Sequence, residues 1–490
     1  MVSNCVRGNN KQHRSMYFES LSEAECKEIY FGALEVMERT GADVYEEEAL
    51  ELFRDAGCWV EGNRVRIPSS LVEWAINASP SRVVLCSRDG ERRMFLEGRK
   101  TYYGPGPTNT YYRDPLTCEK RKPLKKDKVD VAKVVDALPN IDYAMDLGTP
   151  SDVTETLADV HAFEALLLNT TKPIVHWGFD VEQYQYMLEM AIEVAGSLEA
   201  LQQKPFVAFY SEPSSPLQHS DEALAKALFA ARNRLPLVYT PCVMAGATTP
   251  ATMAAVVQLG LVESLVGLVA TQLLSEGSPF IMGGVYSNMD MQTTIFSYGS
   301  PEFNVMQAGI AQMSNYLDIP VFGTAGCTDS KTIDGQAAIE ASFSILTAAQ
   351  SGANLVHDVG YMEFGSTGSP EQLTMCDEII GMVKRITRGI EVNEETLAVD
   401  VVDRVGPSGH FLQDAHTSKH FKEQTWFPTL MNRMRYDEWK LNGGTTMGER
   451  IREKIKGILD SHQVEELPEE KVKAIRKIVE KAEKNHASQE

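Results

Sequence analysis

Residues 205–240 read PFVAFYSEPSSPLQHSDEALAKALFAARNRLPLVYT. Two short apolar runs, Pro205–Tyr210 and Leu237–Thr240, enclose a Ser-Pro turn and a helix-length segment with apolar residues at helical spacing. Runs of this length bounded by turn residues suit strands buried on both faces, so the stretch reads as one strand–helix–strand unit. The same texture continues on either side. Candidate strands are Tyr143–Leu147, Pro173–Trp177, Pro279–Met282, Pro320–Gly323, Asn354–Asp358 and Leu397–Val402, each followed by a helix-length segment. Eight units at intervals of about 25–50 residues, over about 280 residues, predict an α/β fold of the (β/α)8 barrel type. A doubly wound sheet is the alternative. It would carry a Gly-rich phosphate turn after its first strand, and Asp146-Leu147-Gly148-Thr149-Pro150 is no such turn.

The chain ahead of the barrel reads as α+β. Ser22 with Glu25 forms a capping box, Gly41 ends the helix it starts, and a second helix is expected near Glu46 to Ala56. Turns at Gly62-Asn63 and Asp89-Gly90 separate short alternating segments. Three regions follow: an accessory layer over 1–123, the barrel over 124–425 and a charged helical extension over 426–490, Glu-Lys rich after Leu467 and suited to solvent or to contacts between copies of a homo-oligomer.

Of the 490 residues, 43% are hydrophobic and 23% charged, and 47 Lys+Arg against 68 Asp+Glu give a net charge of −21. Nucleic acid and anionic membrane both require a cationic footprint, so this balance argues against either as partner. Met1 to Ser20 contain no apolar run of seven or more, which does not read as a secretory signal and suggests a cytoplasmic protein. Eight cysteines, at 5, 26, 58, 86, 118, 242, 327 and 376, stand singly without C-x-x-C, as reduced thiols do. Ala251 to Leu274 is apolar enough to resemble a membrane span, but it contains Gln258, Glu263 and Gln272, so a helix buried between protein layers is the better reading.

Barrel chemistry sits at the C-terminal ends of the strands. There the sequence places His176-Trp177, Tyr210 and Glu212, Tyr239-Thr240, Gly283-Gly284-Val285-Tyr286, Phe296 and Tyr298, Thr324, Asp329 and Lys331, and His357-Asp358-Val359-Gly360-Tyr361 with Phe364. Aromatic rings recur at almost every opening. They suit a cation that cannot donate hydrogen bonds, held at roughly 0.5–2 kcal/mol per ring, and equally a flat apolar ligand or plain barrel packing. Metal chemistry is not indicated: His416 and His420, with His410 upstream, lack the carboxylate of an H-E-x-x-H site. Asp329 and Asp334 around Lys331 fit a satisfied loop network, and His357 a hydrogen-bonding role in the mouth.

The segment Phe322-Gly323-Thr324-Ala325-Gly326-Cys327-Thr328-Asp329-Ser330-Lys331 with Asp334 and Gln336-Ala337 resembles the trimethylamine methyltransferase superfamily. So do Asn354-Leu355-Val356-His357-Asp358-Val359-Gly360-Tyr361, the loop Tyr103-Gly104-Pro105-Gly106 and Trp426-Phe427-Pro428. The resemblance implies a (β/α)8 barrel that passes a methyl group from a methylated amine to the cobalt of a separate corrinoid protein. The archaeal trimethylamine enzymes carry pyrrolysine near the position of Lys331, where this chain has lysine. That departure resembles the branch acting on glycine betaine and its proline betaine, carnitine and γ-butyrobetaine counterparts.

A quaternary nitrogen already carries the charge that lets a neutral amine leave, so positioning and desolvation are what the protein must supply. Trp177, Tyr210, Phe296, Tyr298 and Tyr361 are the expected cage, with His357 and either Lys331 or Arg404 for the substrate carboxylate. Lys331 and His357 are also the candidates for a catalytic role. Gly104, Gly106, Gly283 and Gly284 are the positions expected at the cofactor. A permanently bound corrinoid would call for D-x-H-x-x-G. The nearest match, Asp159-Val160-His161-Ala162-Phe163-Glu164, lacks the glycine, so the corrinoid is expected on a docking partner. A protein that sequesters a betaine without chemistry is the alternative from another class.

Overall fold

The computed structural model describes residues 17–488; Cys5 and most of Met1 to Ser20 lie outside them. Strands β1 (Tyr102–Tyr103), β2 (Ile174–Trp177), β3 (Val207–Ser211), β4 (Leu237–Tyr239), β5 (Phe280–Gly283), β6 (Val321–Thr324) and β7 (Leu355–His357) form a parallel sheet in the order β1-β7-β6-β5-β4-β3-β2. Residues 142–146 close the remaining gap. The Asp142 N–H donates to the Tyr103 carbonyl at 2.6 Å, and Ala144 bridges Ile174 in parallel register. The closed sheet is a (β/α)8 barrel, and a helix follows each of its eight extended segments.

Two strand assignments change. Leu397–Val402 is helical, split between Glu394–Leu397 and Val399–Val405. Asn393 caps the first piece by accepting from Thr396 N, and Leu397, Val399 and Val402 face solvent, so nothing buries them as a barrel strand would be buried. The missing strand is β1, only two residues long and followed at once by the Gly104-Pro105-Gly106-Pro107 turn that made it read as loop. The barrel therefore begins at Tyr102, inside the stretch expected to be accessory.

Inward-facing side chains from alternate positions fill the barrel: Tyr143, Met145, Val175, Ala208, Tyr210, Val238, Ile281, Phe322 and Leu355 form one cluster. The antiparallel hairpin Val83–Cys86 and Arg92–Leu96 joins this cluster through Val83, Leu85, Met94 and Leu96. The Cys86 N–H donates to the Pro205 carbonyl, ahead of β3, at 2.7 Å. The hairpin thus stoppers the N-terminal end of the barrel.

Ser22 caps the first helix, Glu23–Arg39, with the reciprocal Glu25 bond that the sequence predicts, and Gly41 beyond it sits at φ 71°. The strands Ala42–Val44, Arg64–Arg66 and Trp59–Glu61 form a small sheet to which Gln218–His219, from the loop after β3, adds a parallel edge. The apolar helix Met253–Leu274 passes the length and hydropathy criteria of a membrane span, with 72% of its most apolar window buried inside the protein. It packs against the helices Glu23–Arg39, Ser69–Ala78, Asp221–Arg232 and Pro301–Leu317, as expected of a core helix.

Its acidic residue, Glu263, accepts from Ser215 Oγ and Leu217 N, both at 2.7 Å. Burial pushes this carboxyl up to about 7, against the opposing effect of those two donors. A raised carboxyl binds its proton more tightly folded than unfolded, so stability falls as pH rises from the unfolded value toward 7. Glu263→Gln is expected to flatten that fall. Urea unfolding at pH 5 and pH 8 reads it, and a stability difference between variant and parent that does not change with pH would contradict it.

The C-terminal helices Met447–Ser461 and Glu469–Ala487 pack on the outside of the barrel, the first on Pro370–Thr387 and Lys125–Ala137, the second on Val181–Ala195. Ile451, Ile455, Ile475 and Val479 are buried there. Between them and the barrel, the helices Glu394–Leu397, Val399–Val405, Ala415–Gln424 and Tyr436–Leu441 contain no buried residue.

Candidate functional site

The site is built where the strands end. β3 delivers Tyr210 near its last turn of chain and Glu212 just beyond it; the Tyr210 hydroxyl donates to Glu212 Oε2 at 3.0 Å. Glu212 lies deep among protein groups, yet its side chain is exposed to solvent. Both hold together when a side chain lines an open cavity. Its depth first, and then Asp358, push the Glu212 carboxyl up, while Tyr210 and Lys226 oppose the shift.

β7 ends in His357 and Asp358. His357 stacks on Phe322 with ring centroids 4.0 Å apart, and its Nδ1 lies 2.8 Å from the Gly323 carbonyl. A carbonyl only accepts, so Nδ1 carries the hydrogen and Nε2 faces Asp358 Oδ1 at 3.4 Å. Burial disfavours charge on both partners, lowering the imidazole and raising the carboxyl. Asp358 holds φ 64°, a left-handed conformation that Asp and Asn tolerate better than most residues, and this turns its carboxylate toward the Tyr298 hydroxyl, 2.9 Å away.

Phe296, Tyr298 and Tyr361 form one aromatic group. Phe296 meets Tyr298 edge to face at 5.0 Å, and Tyr298 meets Tyr361 edge to face at 6.3 Å. The Tyr361 hydroxyl donates to the Pro107 carbonyl. Burial, and then the charge of Asp358, hold that hydroxyl well above the usual tyrosine range. Trp177 stands apart. Lys226, from the helix Asp221–Arg232, lies over its ring at 4.8 Å and donates to the Gly178 carbonyl at 2.8 Å. Burial pulls the Lys226 ammonium down to about 8.

A second polar group adjoins. His176 Nε2 donates to the Asp159 carbonyl at 2.9 Å, and burial raises Asp159 to about 7. Lys128 donates to the carbonyls of Asp146 and Leu147. His176 Nδ1, Asp146 Oδ1, Trp177 Nε1 and Thr240 Oγ1 are buried without a hydrogen-bond partner. Buried polar atoms are almost always paired, so four orphans at neighbouring strand ends mark a cavity where ligand or water completes them.

Several expected residues play other parts. Lys331 is exposed and donates to the Asp329 carbonyl at 2.8 Å. Arg404 lies on the exposed helix Val399–Val405 and pairs with Asp414 at 2.8 Å, outside the mouth. His357 is 1% exposed and its two nitrogens are committed to Gly323 and Asp358, so it acts on the mouth through Asp358. The four glycines are explained by protein packing: a Cβ on Gly104 would strike the Tyr143 ring, on Gly106 Asp358 and Tyr361, on Gly283 the Phe322 main chain and on Gly284 the Pro241 carbonyl. His416 and His420 both bond to Glu395 on the surface. The loop network holds as read: Asp329 accepts from Ser297 Oγ, Tyr298 N and Gly299 N, which fixes the loop carrying Tyr298, and Asp334 caps the helix Gly335–Ser351.

A closed β/α barrel with an aromatic, acidic cavity at the C-terminal ends of its strands is the architecture of a barrel enzyme acting on a small molecule. The sequence profile described as trimethylamine methyltransferase (MTTB) matches residues 4–487, and the chain belongs to that family. It is 32% identical over 464 residues to the trimethylamine methyltransferase MttB of Desulfitobacterium hafniense (strain DSM 10664 / DCB-2), covering 94% of this chain and 93% of the relative. It is 28% identical over 424 residues to the glycine betaine methyltransferase of Desulfitobacterium hafniense (strain Y51), covering 86% of this chain and 88% of that one. Among solved structures, the Methanosarcina barkeri monomethylamine methyltransferase shares the fold, with a TM-score of 0.51, 12% identity and coverage of 92% and 90%.

Proposed function

We propose that this member of a methyltransferase family moves a methyl group from a quaternary amine to the Co(I) of a corrinoid carried by a separate protein. The supporting observation is the set of aromatic rings at the strand ends, Tyr210 with Phe296, Tyr298 and Tyr361, together with the exposed residue Glu212 bonded to the Tyr210 hydroxyl. Rings whose hydroxyls are already committed to protein acceptors, beside a carboxylate, suit an ammonium group that has no hydrogen to give. In the transfer, the methyl carbon–nitrogen bond breaks and its electron pair stays on nitrogen, giving a neutral tertiary amine. The cobalt supplies the pair for the new bond. The residues of this chain hold the ammonium in line and exclude water.

Glycine betaine, giving dimethylglycine, is the leading substrate, with proline betaine, carnitine and γ-butyrobetaine behind it. Lys226, with its ammonium beside Trp177, takes the place of Lys331 and Arg404 as the partner for the betaine carboxylate. Membership of this family supports a cytoplasmic setting.

Incubating the protein with reduced cobalamin and each quaternary amine is expected to produce the visible spectrum of methyl-Co(III). Tight binding of a betaine with no methylated cobalt would instead favour a sequestering protein.

A further inference from the structure

We propose that Glu212 is the counter-charge of the site: one oxygen of its carboxylate, free of protein partners, lies against the substrate's ammonium group and makes the cavity select for positive charge as well as for shape. The inference rests on the function proposed above and goes further in assigning the charge recognition to one residue.

Of the other acidic groups of the mouth, Asp358 is engaged by the protein, and Asp146 and Asp159 are closed off from solvent. Asp358 has one oxygen on the Tyr298 hydroxyl at 2.9 Å and the other 3.4 Å from His357 Nε2, and is 2% exposed. Asp146 and Asp159 are 2% and 5% exposed. Glu212 alone among these four is open to solvent. Among the described residues its carboxylate accepts only from the Tyr210 hydroxyl, through Oε2, which leaves Oε1 available. Lys226 does not use that oxygen as an ion-pair partner; its ammonium is bonded to the Gly178 carbonyl and lies over the Trp177 ring.

A second observation points to a ligand at the same place. Trp177 Nε1, on the strand that flanks β3, is buried without a partner. The ring of Tyr210 adjoins Glu212 through their hydrogen bond. A quaternary ammonium presents only methyl groups, so it gains nothing from donors and acceptors; ring faces and a nearby fixed negative charge are what bind it. Tyr210 anchors that charge by its hydroxyl and offers its ring to the same ligand, so the aromatic and ionic contacts come as one unit.

The test separates charge from shape. Glycine betaine, a zwitterion, and tetramethylammonium serve as probes with a cationic head, and 3,3-dimethylbutanoate, with a tert-butyl group in place of trimethylammonium, as the neutral-headed counterpart of glycine betaine. Binding is measured by calorimetry on the full chain and on Glu212→Gln, which keeps an acceptor for Tyr210, and Glu212→Asp, which keeps the charge. The expected result is that Glu212→Gln loses about tenfold or more in affinity for both cations and nothing for 3,3-dimethylbutanoate, with most of the loss recovered in Glu212→Asp. The proposal is overturned if Glu212→Gln binds the cations as the parent does, or if it loses the neutral probe equally, since the change would then lie in shape. Unchanged cation binding in a protein that still methylates cobalt removes this proposal alone. A parent protein that binds neither cation removes the proposed function with it.

Discussion

Gly106→Ala is expected to lower kcat/KM for methyl transfer by about 100-fold or more while the barrel stays folded. Gly106 is buried in the turn after β1, and a Cβ there would fall on Asp358 Oδ1 and on the end of the Tyr361 ring. Neither can withdraw freely. Asp358 is held by Tyr298 and His357, and the Tyr361 hydroxyl is bonded to Pro107, one residue from the substitution. The φ of Gly106 is not positive, so alanine brings no backbone strain and the effect is one of crowding alone. Crowding of this kind costs about 1–3 kcal/mol, which a barrel of this size survives. It also displaces a ring and a carboxylate of the site at once. Gly335→Ala, at a position where a Cβ meets nothing within 4 Å, is the control. Activity within twofold of the parent would show that Tyr361 and Asp358 do not shape the reacting geometry.

Glu378→Ala is expected to cost about 1–3 kcal/mol of stability, concentrated in one part of the chain. Glu378 is 3% exposed on the helix Pro370–Thr387 and accepts from the N–H groups of Thr429, Leu430 and Met431 at 2.9, 2.8 and 3.0 Å and from the Thr429 hydroxyl at 2.6 Å. Alanine leaves these donors without an acceptor beside the buried Leu430, and an unpaired buried donor costs about 1–3 kcal/mol. The four helices just upstream of the C-terminal pair bury nothing of their own, so this carboxylate is a principal tie between that segment and the barrel. Hydrogen exchange should rise across residues 425–435 ahead of the barrel helices. Exchange that rises everywhere equally, or nowhere, would contradict a local anchor.

The barrel was readable because its strands are buried on both faces, and the apolar runs 174–177, 207–211, 237–239, 280–283, 321–324 and 355–357 stand out from the amphipathic helices between them. The first strand was not readable. Tyr102–Tyr103 is shorter than any hydrophobic period, and what makes it a strand is the hydrogen bonding of its neighbours on both sides. Leu397–Val402 misled for the complementary reason: a run of apolar residues carries no information on whether anything will cover it.

The site divides in the same way. Residues one or two positions past a strand, such as Tyr210, Glu212, His357 and Asp358, follow from the barrel itself. Charge partners for a distant group do not. Lys331 lies two residues from Asp329 and was near the mouth in sequence, yet its side chain turns outward, whereas Lys226 comes from mid-helix in the apolar stretch Ala223-Leu224-Ala225-Lys226-Ala227-Leu228. A lone lysine on an apolar helix was the one available sign. Direction of a side chain depends on the helix's rotation against the barrel, which local sequence does not encode.

The hairpin that stoppers the N-terminal end of the barrel leaves Glu212 with a single approach. On the proposed function, the amine and the cobalt arrive from the same side, and a protein broad enough to present a corrinoid covers the opening through which the amine came. The order of events is then imposed by the walls of the barrel: amine first, corrinoid carrier second, and no exit for the demethylated product until the carrier lifts away. Turnover in such a vessel is governed by the lifetime of the lid, and raising the carrier's affinity beyond a point should slow the cycle.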